Sequence, residues 1–417
     1  MVSIHEIVAS PGRASRISSF TGRSYPCVSP MRKTVGSVIA YDISRTIPYK
    51  NDPVKRLVLT VSALVFAAAS GAAERDPLFR DHATLKAVLT APVSQTYAQR
   101  DSDVRLYFPG QWTYLDENGE SHRLDVSIRI RGNFRKEYCE LPPIRLNFRK
   151  SQVRGTLFEG QDKLELVSPC QHGIESQQKL LLEYMAYRIF EILTDYSFGT
   201  RLVRLSYVDS DERLKTWTDL AFVIEDERDT GKRLGLDAAR VAENRFDELD
   251  QSKTALVELF QLLISNHDYS VLQGPSGVYC CHNAVMYVRE EAADKRVPIP
   301  FDFDMSGLVN AKYAAPPSHL PIRLVRTRFY RGLCQPPGVM DEAVARMLSK
   351  KEEILALFEH PELSRLSRNR NLSYVKRFFA ILEDENAFRE QVLDRCRGAS
   401  LLEEMMAEEY GDKGQLP

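Results

Sequence analysis

The chain has 417 residues, of which 43% are hydrophobic, and its formal net charge is -1. That length supports one large domain, or two smaller ones, with a proper hydrophobic core. A net charge near zero gives no reason to expect nucleic acid or an anionic membrane as a partner, and the sequence has no internal repeat of the kind that builds solenoids.

The N-terminal region has the pattern of an export signal. Lys55 and Arg56 precede an apolar run at 57–69, and small residues and then a polar stretch follow it. A positive end, a short apolar segment and a small-residue exit are typical of a secretory signal peptide, which we place at 54–73. The run is shorter than the roughly 20 residues that a membrane span needs, and a short membrane anchor is the alternative.

The segment before this signal is unusual. Residues 1–53 are rich in Ser, Arg and Pro and show no sustained periodicity. We interpret them as a doubtful leader and hypothesise that the protein starts near Val54, since a valine codon can serve as a bacterial start. After the signal we predict a main domain over 74–340 and a helical C-terminal extension over 341–417. The mature chain is then periplasmic or secreted, with no stable membrane span.

Cysteine usage fits an oxidising compartment. The predicted mature chain keeps six cysteines, an even set that can pair. Cys139 and Cys170 flank a strand-and-turn segment and are the best candidates for one disulfide. Cys280 and Cys281 would lie on opposite faces of a predicted strand, so we expect no bond between them. No spacing in the sequence indicates a zinc site.

The first predicted elements are strands. Residues 85–92 form the first of them, and the turn signal at 116–120 separates two extended segments. Alternating apolar and polar side chains predict further strands at 126–130 and 144–148. The N-terminal part of the mature chain is therefore expected to be β-rich.

The middle of the chain mixes helices with strands. Apolar residues at helical spacing predict two helices, one over 177–193 and one that includes 256–263. Four more strands are predicted, at 202–209, 220–226, 278–289 and 297–304. From Asp341 onward the pattern is helical and charged. Because strands and helices do not alternate regularly, we predict an α+β fold with antiparallel sheets and not a doubly wound sheet.

The most informative segment is the last predicted strand, where Phe301 and Phe303 alternate with Asp302 and Asp304 before a Ser-Gly break. In a strand the two aspartates would share one face, where they repel each other unless a cation or a proton lies between them. Oxygen ligands of this kind suit a hard divalent metal. The alternative is a strand with two solvated aspartates on its solvent-exposed face.

Two polar residues upstream complete a possible site. Asp268 follows the second helix, and Asn283 lies on the next predicted strand. This order suits phosphoryl transfer, in which Asp268 accepts the proton of an attacking hydroxyl while Asn283 and Asp302 hold magnesium. Taken alone, Asp268 could instead end a helix and Asn283 could be a satisfied amide. For His267 and His282 we expect structural roles, since no Ser or Cys nucleophile accompanies them.

In this order the segments resemble the CotH kinase family of spore-coat and secreted kinase-like proteins, in an exported bacterial branch. The resemblance covers roughly residues 120–315 and is carried by RIRGNFRK, PPIRLNF, KLLLEYMAYRIFEIL, LAFVIED, NHDYS and PFDFD. It implies an atypical protein-kinase-like fold with an antiparallel β-rich N-terminal part and a helical C-terminal part. It also implies that the protein binds Mg²⁺ and ATP and transfers phosphate to protein hydroxyls.

Carried over residue by residue, the resemblance makes Asp268 the catalytic aspartate. Asp302 becomes a magnesium ligand, with Asp304 and Asn283 as further ligands. The nucleotide-binding residues that it implies are Arg129, Arg131, Arg145, Glu183 and Glu225.

The basic residues depart from a kinase pattern. Arg145 stands where a kinase would have a lysine, and the two cations are not equivalent; Glu183 could pair with it. No glycine-rich loop is present, so phosphate binding would either rely on Arg129, Arg131 or Arg135 or be poor. The first two could instead be exposed strand charges.

The sequence thus leaves two main functions open. One is a magnesium-dependent, ATP-using protein kinase outside the cytoplasm, with an unidentified protein substrate. The other is a non-catalytic envelope or structural protein that keeps the kinase-like fold. The scarcity of ATP outside the cytoplasm counts against the first, and the retained acidic set counts against the second. A hydrolase that uses the paired carboxylates ranks last, because the sequence has no nucleophile motif.

Overall fold

The structure is a computed structural model, and it describes residues 74–275, 277–289, 292–336 and 338–398. The leader over 1–53, the start at Val54 and the signal peptide over 54–73 lie outside these residues. Within the part of the chain that is described, no helix is both long and apolar enough to cross a membrane.

Seven strands close into a barrel. They are β1 (Leu85–Ala91), β2 (Phe108–Leu115), β3 (Ser121–Ile130), β4 (Ile144–Phe148), β5 (Lys163–Val167), β6 (Thr200–Asp209) and β7 (Trp217–Glu225). Around the barrel the order is β1-β2-β3-β4-β5-β7-β6. Neighbours pair antiparallel, except that β1 and β6 run parallel where the barrel closes.

This barrel shows that the predicted fold class is wrong. We expected a kinase-like arrangement with antiparallel sheets in a β-rich part and a separate helical part. The chain instead forms a closed, mixed seven-stranded barrel with helices packed against it. The deciding contact is the parallel pairing of β1 with β6, in which Leu85 faces Val203. Local patterns do not indicate a pairing between strands so far apart in the chain.

A smaller sheet contains the segments on either side of the predicted site. It has the order β10-β9-β8, with β8 (Asp237–Ala238), β9 (Ala284–Arg289) and β10 (Ala292–Pro300). Two predicted strands are therefore too long, because 278–283 precede β9 and 301–304 follow β10. The alternation argument for Asp302 and Asp304 fails for the same reason, since neither residue lies in a strand.

The helices are α1 (Val93–Ala98), α2 (Phe134–Tyr138), α3 (Lys150–Val153), α4 (Ile174–Leu193), α5 (Glu227–Leu234), α6 (Gln251–Ile264), α7 (Val339–Ser349), α8 (Lys351–Ala356), α9 (Arg365–Glu383) and α10 (Glu385–Gln391). Both predicted helices are confirmed as α4 and α6. Helix α6 begins after Asp250, whose carboxylate accepts a hydrogen bond from the Lys253 N–H and so caps the first turn.

Two hydrophobic cores lie on opposite sides of the barrel wall. In β7, Ala221 and Val223 point into the barrel core, while Phe222 and Ile224 point out toward α4 and α6. A strand with both faces buried is apolar at nearly every position. The described helices of the predicted C-terminal extension, α7 to α10, pack against this same outer core, so they contribute to the body that contains the site.

All six cysteines of the predicted mature chain are paired. Cys139 is bonded to Cys170, which confirms the predicted disulfide, and Cys334 is bonded to Cys396. The expectation that Cys280 and Cys281 do not bond each other is wrong, because the structure joins them. That expectation assumed a strand, whereas both residues lie before β9 begins.

Candidate functional site

The first half of the site follows the end of α6. The helix ends at Ile264, and the next residue, Ser265, has a left-handed φ of 54°. The side-chain oxygen of Asn266 then accepts the N–H of Asp268 at 3.0 Å. This short turn directs the Asp268 side chain, which is 40% exposed, out of the core.

Two residues before β9 hold the Asp268 carboxylate, and we call these three side chains the Asp268 group. Asp268 Oδ1 lies 2.8 Å from His282 Nε2, and Oδ2 accepts a 3.1 Å hydrogen bond from Asn283 Nδ2. Asn283 Nδ2 also donates to the Asp268 carbonyl oxygen at 2.7 Å. The structure therefore brings Asp268 and Asn283 together, as the sequence predicted, and adds His282.

These contacts set the protonation of Asp268. Burial acts to raise the pKa of its carboxyl, but the hydrogen bond and charge of His282, followed by Asn283 and Arg331, bring that pKa below its usual value. Hydrogen bonds to the charged form of a carboxyl favour that form. Asp268 is therefore ionised at neutral pH and is held in one orientation.

The second half of the site is the turn that follows β10. Asp302 has a left-handed φ of 59°, an uncommon conformation for a residue other than glycine. Its N–H donates to the Tyr187 hydroxyl of α4 at 2.9 Å. Phe303 anchors the turn, with its ring buried 4.5 Å from Tyr187 and 5.2 Å from Phe260. The carboxylate of Asp302 is partly exposed and accepts no hydrogen bond from any described residue.

Asp304 lies deeper, in a buried cluster. Its Oδ2 accepts a 2.8 Å hydrogen bond from the Tyr313 hydroxyl and lies 3.9 Å from Arg135 Nε. Arg135 Nη1 is 3.0 Å from Glu183 Oε2, and Arg135 Nη2 donates to the Ser168 carbonyl oxygen at 2.9 Å. Helix α2 supplies the arginine and α4 supplies the glutamate. We call Asp302, Asp304, Glu183 and Arg135 the Asp304 group.

Negative charge is in excess in the Asp304 group. Loss of hydration raises the pKa of all three carboxyls. Asp302 raises the pKa of Asp304 further, and Glu183 raises the pKa of Asp302. Arg135 opposes the shift of each carboxyl, and Arg131 also opposes the shifts of Asp302 and Glu183. Asp268 also raises the pKa of Asp302 and Asp304, so the two halves of the site influence each other. A bound cation would relieve this repulsion.

The donor atoms restrict how a metal would fit. Among the described residues, the one set of three acidic, histidine or cysteine side chains with ligand atoms within 4.8 Å of one another is Asp116, Glu120 and His122, near the β2–β3 turn. The predicted site is thus not a closed carboxylate cage. Mg²⁺ commonly takes one or two carboxylates and keeps several waters. The free carboxylate of Asp302 fits that requirement, and the backbone of the preceding residue contacts Asn283, whose carbonyl oxygen accepts the Phe301 N–H at 3.1 Å.

Two of the predicted nucleotide-binding arginines lie on the outer face of the barrel wall, in ion pairs. Arg131 Nη2 is 2.5 Å from Glu165 Oε2, and Arg145 Nη2 is 2.8 Å from Asp226 Oδ2. The suggested pairing of Arg145 with Glu183 is wrong, because Glu183 pairs with Arg135. The third arginine, Arg129, pairs in register with Arg145 on the neighbouring strand, and its guanidinium lies 4.9 Å from the Tyr107 ring.

Glu225 is not grouped with the other site residues. Its carboxylate accepts hydrogen bonds from Arg233 Nε and Nη2, at 3.0 and 2.9 Å, and from the Gly199 N–H at 2.8 Å. This buried network ties β7 to α5 and to the turn before β6. A role for Glu225 in nucleotide binding stays a prediction, and its oxygens already have these partners.

Three residues matter more in the structure than the sequence indicates. The sequence predicts a structural role for His282, although its place beside Asn283 is a signal that it can reach Asp268. It offers Arg135 as one of three arginines for phosphate binding, and it offers Glu183 as a partner of Arg145. Tyr313 had no signal, because it lies in a loop that follows Asp304 by nine residues.

Comparison with known proteins assigns neither a family nor a function to the chain. No protein-family model matches the chain, and no curated protein matches it. The resemblance to the CotH kinases therefore stays a prediction that depends on the quoted segments alone.

Proposed function

We propose that this protein binds Mg²⁺ and ATP and transfers the terminal phosphate to a hydroxyl group of a protein. The observation that carries the proposal is the free, partly exposed carboxylate of Asp302, which interacts electrostatically with both Asp268 and Asp304. The proposal depends on these side chains and not on a kinase-like fold, which the barrel excludes.

The Asp268 group has the features of a proton acceptor. Its carboxylate is ionised and partly exposed, while His282 and Asn283 fix its orientation. In the proposed reaction the acceptor oxygen forms a bond to the γ-phosphorus of ATP, and the bond from that phosphorus to the bridging oxygen breaks. ADP leaves, and the hydroxyl proton passes to Asp268. Positioned acid–base groups of this kind contribute about 10²- to 10⁴-fold to a rate.

The Asp304 group has the features of a cation site. Asp302, Asp304 and Asn283 would hold Mg²⁺, which supplies charge neutralisation to phosphate oxygens when it is bound. Arg135 places a permanent positive charge beside Asp304, and Glu183 and Ser168 fix its guanidinium. Its position also suits contact with a phosphate, since an arginine fork matches phosphate geometry.

A non-catalytic envelope or structural role is the second candidate. It is favoured by the ion pairs of Arg131 and Arg145 with Glu165 and Asp226, because these pairs neutralise cations that a nucleotide would need. Under this alternative, Asp302→Ala leaves the cellular phenotype intact.

The test is ligand-dependent melting of the full chain, combined with transfer of radiolabelled phosphate from ATP. Wild type should melt at a higher temperature with Mg-ATP than with ATP and EDTA, because a ligand of the native state stabilises it. Asp302→Ala should lose that difference. The matched control is Asp237→Ala, an exposed aspartate of β8, which should behave as wild type. The proposal fails if wild type shows neither the shift nor label transfer.

A further inference from the structure

A strongly basic surface lies beside the proposed site. It consists of Lys179 of α4, Arg370 and Arg377 of α9, and Arg326 of the loop before α7, and we call these four residues the basic surface. None of them forms an ion pair with a described residue.

The core of this surface is the ring of Tyr374. The guanidinium carbons of Arg326, Arg328 and Arg377 lie 4.1, 3.9 and 5.8 Å from the centre of that ring. Their hydrogen-bond partners are neutral. Arg326 donates to the Gly307 carbonyl and the Asn371 side chain, Arg328 donates to two carbonyls, and Arg377 donates to a serine hydroxyl. The ring and these dipoles orient the cations without neutralising them.

The cations repel one another. Burial lowers the pKa of Lys179, and Arg370 lowers it further; Glu175, one helical turn earlier on α4, opposes this shift, while Arg326 and Lys312 add to it. Burial also lowers the pKa of Arg326, with a further decrease from Arg370 and Arg377 that Tyr374 partly opposes. An anion bound among them would remove this repulsion, so the surface is complementary to negative charge.

The basic surface adjoins the Asp304 group through two connections. Arg326 Nη1 donates at 3.0 Å to the carbonyl oxygen of Gly307, in the same turn as Asp304. Lys179 lies one helical turn before Glu183 on α4. Both side chains line a cavity of about 110 Å³, together with Arg135 and Tyr313. A chain bound along the basic surface would therefore lead to the cavity that Arg135 and Glu183 of the Asp304 group line.

The geometry points to an acidic segment of the acceptor protein as the ligand of the basic surface. This inference rests on the proposed function, since it takes the acceptor to be a protein. Arg370 and Arg377 are two helical turns apart, about 10 Å along α9, which matches roughly three residues of an extended peptide. Nucleic-acid binding generally involves a larger basic footprint and a positive domain charge, which a chain of net charge -1 does not provide.

The experiment measures the fluorescence anisotropy of a labelled peptide that has one serine flanked by four glutamates, added to the full chain without ATP or metal. We expect binding that weakens with salt and that is at least about tenfold tighter than for the same peptide with glutamines. The double variant Arg370→Gln/Arg377→Gln should reduce the affinity by about tenfold. The matched control Arg154→Gln/Lys215→Gln removes two exposed cations of the barrel region and should change the affinity by less than about twofold.

Three outcomes would overturn the inference. The first is equal binding of the glutamate and glutamine peptides, and the second is an equal loss of affinity in both double variants. The third is tighter binding, through the same arginines, of single-stranded DNA or of vesicles that contain phosphatidylglycerol. The inference and the proposed function can fail separately, because peptide binding needs no nucleotide. If the peptide binds as expected while wild type transfers no phosphate, the function fails and the acidic-peptide surface stands.

Discussion

The Asp268 group and the Asp304 group contain the same kind of side chain in opposite electrostatic states. Asp268 is partly exposed, has His282 and Asn283 as donors, and has a lowered pKa. Asp304 is buried, faces Asp302 and Glu183 with one close arginine, and has a raised pKa. Environment rather than residue type thus separates a carboxylate that is ionised at neutral pH from a carboxyl that a bound proton or cation would stabilise.

The largest expected effect comes from a variant that removes the proton acceptor and leaves the cation site. Asp268→Asn should lower phosphate transfer by about a thousandfold, because an amide cannot accept the proton. It should leave the Mg-ATP melting shift in place, since the metal ligands are intact. Radiolabel transfer and ligand-dependent melting measure the two effects. Loss of the melting shift together with transfer would show that Asp268 belongs to the cation site.

Removal of the disulfide between Cys139 and Cys170 tests the Asp304 group separately from the Asp268 group. This disulfide connects the end of α2, which supplies Arg135, to the segment that contains Ser168. Replacing both cysteines with alanine opens a loop of 31 residues and should cost about 3–4 kcal/mol of unfolding free energy. Urea unfolding measures this loss. The Mg-ATP melting shift should also decrease, while an equal double replacement of Cys334 and Cys396 should affect stability without that decrease.

Glu258 allows the effect of burial on a carboxyl to be measured apart from the site, because it is a buried carboxyl outside both groups. Burial raises its pKa to about 7, although it accepts hydrogen bonds from the Leu333 N–H and from Gln335. The folded state therefore holds this proton more tightly than the unfolded state does. Its contribution to stability is full below the unfolded pKa of about 4.5 and decreases as pH rises toward about 7.

Urea unfolding between pH 4 and 8 measures this contribution, which is on the order of 3 kcal/mol. Glu258→Gln should remove that part of the pH dependence, and the exposed Glu390→Gln should not change it. An unchanged pH profile in Glu258→Gln would mean that Glu258 is ionised in the folded protein.

The smallest expected effect concerns His282. His282→Gln removes a charge that lowers the pKa of Asp268, so that pKa should rise. The acid limb of the pH profile for phosphate transfer should then move to higher pH by less than about one unit. His319→Gln, an exposed histidine elsewhere, is the control. A shift to lower pH would contradict the assigned role.

The local sequence determined the elements of this protein better than their assembly. Helical spacing placed α4 and α6, and alternation placed β4 and the second half of β3, because these patterns follow from the geometry of a single element. The same reasoning extended β9 and β10 too far. A run of suitable residues does not show where its hydrogen-bonding partner strand ends.

The site likewise divides into what the local sequence indicates and what the assembly of elements decides. The sequence by itself selected Asp268, Asn283, Asp302 and Asp304, because polar residues at the ends of apolar segments can be recognised from the sequence alone. Only the tertiary structure decided that Arg135 and not Arg145 pairs with Glu183, that His282 holds Asp268, and that β1 closes the barrel against β6. Each of these contacts joins residues from separate elements, and their distances are set by how the elements pack and not by their spacing along the chain.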